Sequence, residues 1–112
     1  MRNITSGFNF EGYNIKMYLG PISGETVLGT GFISEYKAAF ADSFGTTSNS
    51  FSGKLKTAKE NATKKLIEEC LQKNGNAIIG VDFDYITFSN NMIGVVANGT
   101  AVIIEECNYG DR

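Results

Sequence analysis

Residues 77–104 decide the fold, and they read AIIGVDFDYITFSNNMIGVVANGTAVII. Two runs rich in β-branched and aromatic side chains flank Ser89-Asn90-Asn91, a polar triplet typical of a turn. The segment therefore predicts a β-hairpin. Its second strand is apolar at both parities, because neighbours such as Val95 and Val96 point to opposite faces. A strand with one face in water would alternate apolar and polar residues, so we expect both faces of this hairpin to be covered.

Two strands are predicted before the hairpin. Residues 13–19 alternate apolar and polar side chains, which is the period of a strand with one wet face. Gly20-Pro21 follows, and proline supplies no donor for a strand ladder, so the first strand is expected to end there. Residues 25–29 then predict a short second strand.

Two helices are predicted between these strands and the hairpin. The first covers residues 32–44, where an aromatic side chain recurs every four residues. The second and longest covers residues 49–73 and ends at Asn74-Gly75, two residues that tolerate the left-handed conformation. The predicted fold class is α+β, with a four-stranded, mainly antiparallel sheet and two helices on one face (ββααββ). Residues 1–112 are expected to form a single domain.

The apolar hairpin predicts a partner. Two helices cover only one face of such a sheet, so the second face needs another cover. In a chain of 112 residues, a second copy is the favoured supplier, and we expect a homo-oligomer. The alternative is a three-layer monomer in which the helix at residues 32–44 folds over the second face.

Composition excludes several classes of function. The net charge is −2, and the lysines between Lys54 and Lys73 are mixed with glutamates, so no basic stripe is available for nucleic acid. No segment approaches the ~20 apolar residues of a membrane span, and no secretory signal is evident, so a cytoplasmic location is expected. Two cysteines, Cys70 and Cys107, are too few for a disulfide framework.

The chain contains no histidine, which removes the usual general base and the usual metal ligand. An enzyme would have to use carboxylates, Lys, Tyr or Cys, and we expect no catalytic residues. Gly24 to Gly29 has the spacing of a phosphate loop but lacks the lysine that such a loop needs. Asp82 and Asp84 are the most informative pair, because strand periodicity places both carboxylates and Gly80 on one face. They are the candidate ligands of a divalent cation; the alternative is a solvated edge or a hydrogen-bond pair between subunits.

Two specific segments carry a family resemblance, GNAIIGVDFDY at residues 75–85 and GTAV at residues 99–102, and looser matches include Phe10-Glu11-Gly12. On these segments the chain resembles the YbjQ-like family of small bacterial proteins. The resemblance implies a dodecin-like α+β subunit that assembles into a pentameric ring. It also implies a heavy-metal-binding label, but Cys70 and Cys107 are not in a paired motif. The family supplies no accepted catalytic residues to carry over.

Three hypotheses follow for function. The first is a non-enzymatic, ring-forming cytoplasmic protein that binds a cation or small ligand through Asp82 and Asp84. The second is a structural or protein-interaction module without a ligand. The third is a carboxylate-dependent enzyme.

Overall fold

The described chain contains one long helix and three strands. The structure is a computed structural model, and it describes residues 3–28, 47–88 and 92–107. In chain order the elements are β1 (Tyr13–Leu28), α1 (Thr47–Gln72), β2 (Ala77–Phe88) and β3 (Met92–Glu106). The strands form an antiparallel sheet in the order β1-β3-β2. The predicted hairpin is confirmed as β2 and β3, and its turn lies outside the described residues.

The predicted ββααββ fold is wrong, since the described residues form βαββ with a three-stranded sheet and one helix. The two short strands expected on either side of Gly20-Pro21 are one strand of 16 residues. Gly20 has a φ of +110° beside a register shift, so the strand bends there without ending. Pro21 remains paired with Thr100. Proline has no amide donor, and an edge strand such as β1 accommodates it because no further strand of the described residues lies on its outer side to be hydrogen-bonded. The helix predicted at residues 32–44 lies outside the described residues.

Helix α1 agrees with the longest predicted helix and packs along one face of the sheet. Its inward stripe of Ala58, Ala62, Leu66 and Cys70 is at most 1% exposed. The helix ends as predicted, with Asn74 at a φ of +65° and the Gly75 amide donating to the Cys70 carbonyl at 2.9 Å. Among the described residues, no helix combines the length and apolar character needed to cross a membrane.

The sheet has an apolar cluster on each face. On the α1 side, Ile78 of β2 and Val95 of β3 pack against the helix stripe. The second cluster joins β2 and β3 on the opposite face and consists of Ala77, Ile79, Val102 and Ile104. Phe10, Tyr13 and Ile15 pack against this second cluster, so residues near the start of the chain cover that end of the hairpin. This cover was not predicted from the sequence.

Residues at the start of the chain also protect the outer edge of β2. Ile4 forms a parallel bridge with Ile78. The Thr5 amide donates to the Ile78 carbonyl at 3.0 Å, and the Ile78 amide donates to the Asn3 carbonyl at 2.9 Å. The Gly80 amide donates to the Gly7 carbonyl at 2.8 Å. This pairing shields an otherwise open sheet edge up to the point where the candidate site begins.

Candidate cation site on the open face of the sheet

Asp82 and Asp84 lie on the face of the sheet opposite α1, which we call the open face. Both residues are exposed. Val81 and Phe83 alternate with them and pack against the cluster on the helix side. The predicted pair of carboxylates therefore shares one face, about 6.5–7 Å apart by strand geometry.

A β-bulge at Gly80 determines which face the two carboxylates occupy. Ile79 pairs with Thr100 and Asp82 pairs with Asn98, so β2 has one residue more than β3 across this interval. Gly80 takes a φ of +62°, a conformation that an L side chain rarely adopts. An uninterrupted strand would give Asp82 and Asp84 the parity of Ile78, which faces the helix.

Asn98 of β3 is a third polar group at this site, and it was not predicted from the sequence. It is the register partner of Asp82, and its Nδ2 donates to Oδ2 of Asp84 at 2.9 Å. The amide therefore fixes one carboxylate and carries a carbonyl oxygen of its own. The signal available in the sequence was a lone amide in a mostly apolar strand.

The remaining carboxylates do not complete a metal-binding set in one chain. Glu25 of β1 pairs with Val96, the residue that also pairs with Asp84, so two strand spacings of about 4.8 Å each separate them. Within the described ranges, no group of three or more His, Cys, Asp or Glu side chains converges. One chain thus offers two carboxylates and an amide, fewer oxygen ligands than the six to eight that calcium takes.

The phosphate-loop spacing noted at Gly24 has a structural explanation. Gly24 is a buried residue in the middle of β1, where the strand crosses α1, and not part of a loop. A Cβ at this position would collide with the backbone of Ala62 and Leu66. The rest of the spacing, residues 29–31, lies outside the described residues.

Cys70 does not fit a site for a soft heavy metal. Its side chain is fully buried, and Sγ donates to the Ala77 carbonyl at 3.4 Å. Burial raises the pKa of the Cys70 thiol and outweighs an opposing contribution from the Ala77 backbone. Soft metals bind the thiolate, so this environment disfavours the form that they need. Cys107 is half-buried at the end of the described chain, and its amide donates to the Gly12 carbonyl at 2.9 Å.

These features define a class of small α+β proteins with one helix on a three-stranded antiparallel sheet and a polar patch on the open face. The chain belongs to the YbjQ-like family, whose model is described as "Putative heavy-metal-binding" and matches residues 3–105.

Similar proteins carry family names without an activity. UPF0145 proteins of Acetivibrio thermocellus and of Clostridium botulinum (strain Eklund 17B) are 40% and 39% identical to this chain. Each match covers 91% of this chain and 98% of the relative. A crystal structure of a DUF74-family protein of unknown function from Pediococcus pentosaceus matches with a TM-score of 0.55. That match has 19% identity and covers 91% of this chain and 96% of the other, so it supports the fold.

Proposed function

We propose that this protein is the subunit of a cytoplasmic homo-oligomer, a ring of five copies, that binds a divalent hard cation or small polar ligand between neighbouring copies. The pentameric ring rests on the family resemblance. The cytoplasmic location is supported by the buried, free thiol of Cys70, as expected in a reducing compartment. Catalysis is not part of the proposal.

The observation that carries the proposal is an apolar end of the open face that the described residues do not cover. Val27 of β1 and Ile86 of β2 both pair with Gly94 of β3, so they lie on one face with a gap between them. Their exposed fractions are 51% and 47%. Phe10, Tyr13 and Ile15 cover the other end of this face. No described residue covers the end at Val27 and Ile86 to the same extent.

Association would stabilise this surface by a useful amount. Full burial of a valine or isoleucine side chain contributes about 1.5–3 kcal/mol, so completing the burial of each half-exposed side chain contributes about 1 kcal/mol. Two such residues cannot hold a complex together, and a stable interface requires roughly 1,000 Å² in total. The interface must therefore extend beyond them. The nearest continuation is the next two rows of the open face, Val96 with Asp84 and then Asn98 with Asp82.

The same geometry explains why a cation would need neighbouring copies. One chain supplies Asp82, Asp84 and the amide of Asn98, which is an incomplete set of oxygen ligands. A symmetric assembly repeats these groups around its axis, and clustered carboxylates attract cations. Oxygen ligands favour calcium, magnesium or manganese over the soft heavy metals.

The oligomer is tested by light scattering at micromolar concentration. We expect several times the 12.1 kDa mass of one chain. Ile86→Asp should lower that mass, because it places a charge in the proposed interface. Leu71→Asp is the matched control, since Leu71 is 55% exposed on α1 and should leave the assembly intact. A wild-type protein that scatters as a monomer refutes the proposal.

The cation site is tested by equilibrium dialysis against calcium, magnesium and manganese. We expect wild type to take up at least one of them and Asp82→Asn/Asp84→Asn to lose that uptake. Glu68→Gln/Glu69→Gln removes the same amount of charge from exposed positions on α1, and this variant should still take up the cation. Equal uptake by wild type and the aspartate variant excludes these two residues as ligands. An intact oligomer without uptake would favour the structural module instead.

A further inference from the structure

A second candidate site lies on the other side of the sheet, between α1 and β2. It is an open cavity of about 620 Å³, within the range of small-molecule sites. The residues that line it, which we call the lysine groove, are Leu55, Lys56, Lys59, Glu60, Thr63, Lys64 and Phe83. The groove is separate from the aspartate pair, because Phe83 faces the helix while Asp82 and Asp84 face away.

The floor of the lysine groove is apolar and its rim is basic. Leu55 and Phe83 are half-buried and pack against the main core. Nζ of Lys59 lies 5.0 Å from the centre of the Phe83 ring, a cation–π arrangement that holds the ammonium group above the floor.

Charge favours an anionic ligand here. Three lysines and one glutamate line the groove, a local excess of two positive charges on a chain whose net charge is −2. Lys56 and Lys59 are three residues apart, a spacing that places side chains on one side of a helix, and Lys64, five residues further on, lines the same groove. Three lysines are too few to follow a nucleic acid backbone, whereas they suit a single acidic head group.

We propose that the lysine groove binds a small amphipathic anion, with an apolar body on Leu55 and Phe83 and one carboxylate or sulfonate head group on the lysines. The proposal does not depend on the oligomer or on the aspartate site. An amphipathic anion matches both the apolar floor and the basic rim of the groove. A neutral apolar ligand would leave the lysines unused, and a cation would be repelled by them.

The test is a fluorescence titration of the full-length protein with anilinonaphthalene sulfonate, an aromatic anion. Decanoate should displace the probe, and decyltrimethylammonium, which has an alkyl tail one carbon longer and the opposite charge, should displace it poorly. Raising the salt concentration should weaken binding, because the lysines at the rim are screened by ions.

Variants locate the binding. Lys59→Met/Lys64→Met should weaken probe binding by about tenfold, the effect of losing one or two charge-assisted contacts. Lys65→Met is the matched control, because Lys65 lines a different groove beside Ser23 and Glu68 and should bind like wild type. Phe83→Leu, which retains an apolar side chain, should weaken binding less than Phe83→Ala, with circular dichroism confirming the fold of each.

Two results would overturn the proposal. Equal displacement by decanoate and decyltrimethylammonium would show that the tail alone is recognised. Equal weakening by Lys65→Met and by the double lysine variant would show that the overall charge, and not the lysine groove, controls binding.

Discussion

Replacing Gly24 by alanine should destabilise the fold severely. The added Cβ would lie well under 3.0 Å from the carbonyl oxygen of Ala62 and the amide nitrogen of Leu66, and 2.8 Å from Cβ of Lys65. Two of these three atoms are backbone, so α1 itself must move, and no side-chain rotation relieves the collision. Restoring an ordinary contact of 3.4 Å to the Lys65 Cβ alone requires a shift of about 0.6 Å.

The cost can be worked from that displacement. A gap of 0.5–1 Å forfeits roughly a quarter to a half of the dispersion energy of each contact across it. The inward stripe of α1, from Ala58 to Cys70, loses contacts in this way. With overpacking costs of about 1–3 kcal/mol, we expect the Gly24→Ala change to lower the free energy of unfolding by about 3 kcal/mol. Domains of this size have only about 5–15 kcal/mol in total.

Urea denaturation followed by circular dichroism measures the effect. Wild type and variant should be compared at one protomer concentration, because association changes apparent stability. Gly53→Ala is the matched control: a Cβ at Gly53 in α1 meets nothing within 4 Å, and alanine favours helix by up to about 1 kcal/mol. A Gly24→Ala protein as stable as wild type would show that β1 and α1 are not in close contact at this crossing.

Three further outcomes are expected. The free energy of unfolding, measured from urea midpoints, should fall as pH rises above 9.0. Burial raises the pKa of the Cys70 thiol in the folded state, so the unfolded chain loses this proton at a lower pH than the folded chain. The Cys70→Ala variant should show a smaller decrease over the same pH range. Asn76→Ala should lower the free energy of unfolding by about 1–3 kcal/mol, as measured by thermal unfolding. Asn76 Oδ1 accepts a hydrogen bond from the Ile104 amide at 2.7 Å, and Asn76 Nδ2 donates one to the Ile104 carbonyl at 3.0 Å. An unchanged unfolding midpoint would mean that water replaces both bonds. A thiol reagent should modify Cys107 in the folded protein and Cys70 only on unfolding, and simultaneous labelling would contradict the burial of Cys70.

Local sequence patterns predicted the longest helix and the hairpin. The helix Thr47–Gln72 follows from the spacing of its apolar residues, and the hairpin of β2 and β3 follows from two apolar runs on either side of a polar turn triplet. The end of the helix at Asn74 and Gly75 was also predictable, because few other residues favour a positive φ.

β1 could not be predicted in the same way. Gly20-Pro21 is a strong local signal for a strand end, and only the position of β1 at the edge of the sheet makes a proline acceptable there. The packing of Gly24 against α1 is likewise a tertiary effect, since the glycine signals close approach without showing what approaches. The sequence did not predict that Phe10, Tyr13 and Ile15 cover part of the second face. These residues are far from the hairpin in sequence and contact it only through tertiary folding.

The Gly80 bulge links the fold to both candidate sites. The sequence correctly grouped Asp82 with Asp84, yet it grouped Gly80 with them by a periodicity that the bulge interrupts. If β2 continued as a regular strand through Gly80, with all its residues and no bulge, both carboxylates would have the parity of Ile78, against the apolar stripe of α1, where unpaired charges are costly. Phe83 would then turn away from Lys59, and the lysine groove would lose its floor. One bulge at a residue with a positive φ thus places the acidic pair on the open face and the aromatic ring under the lysines, so the opposite charge preferences of the two faces have a common structural cause.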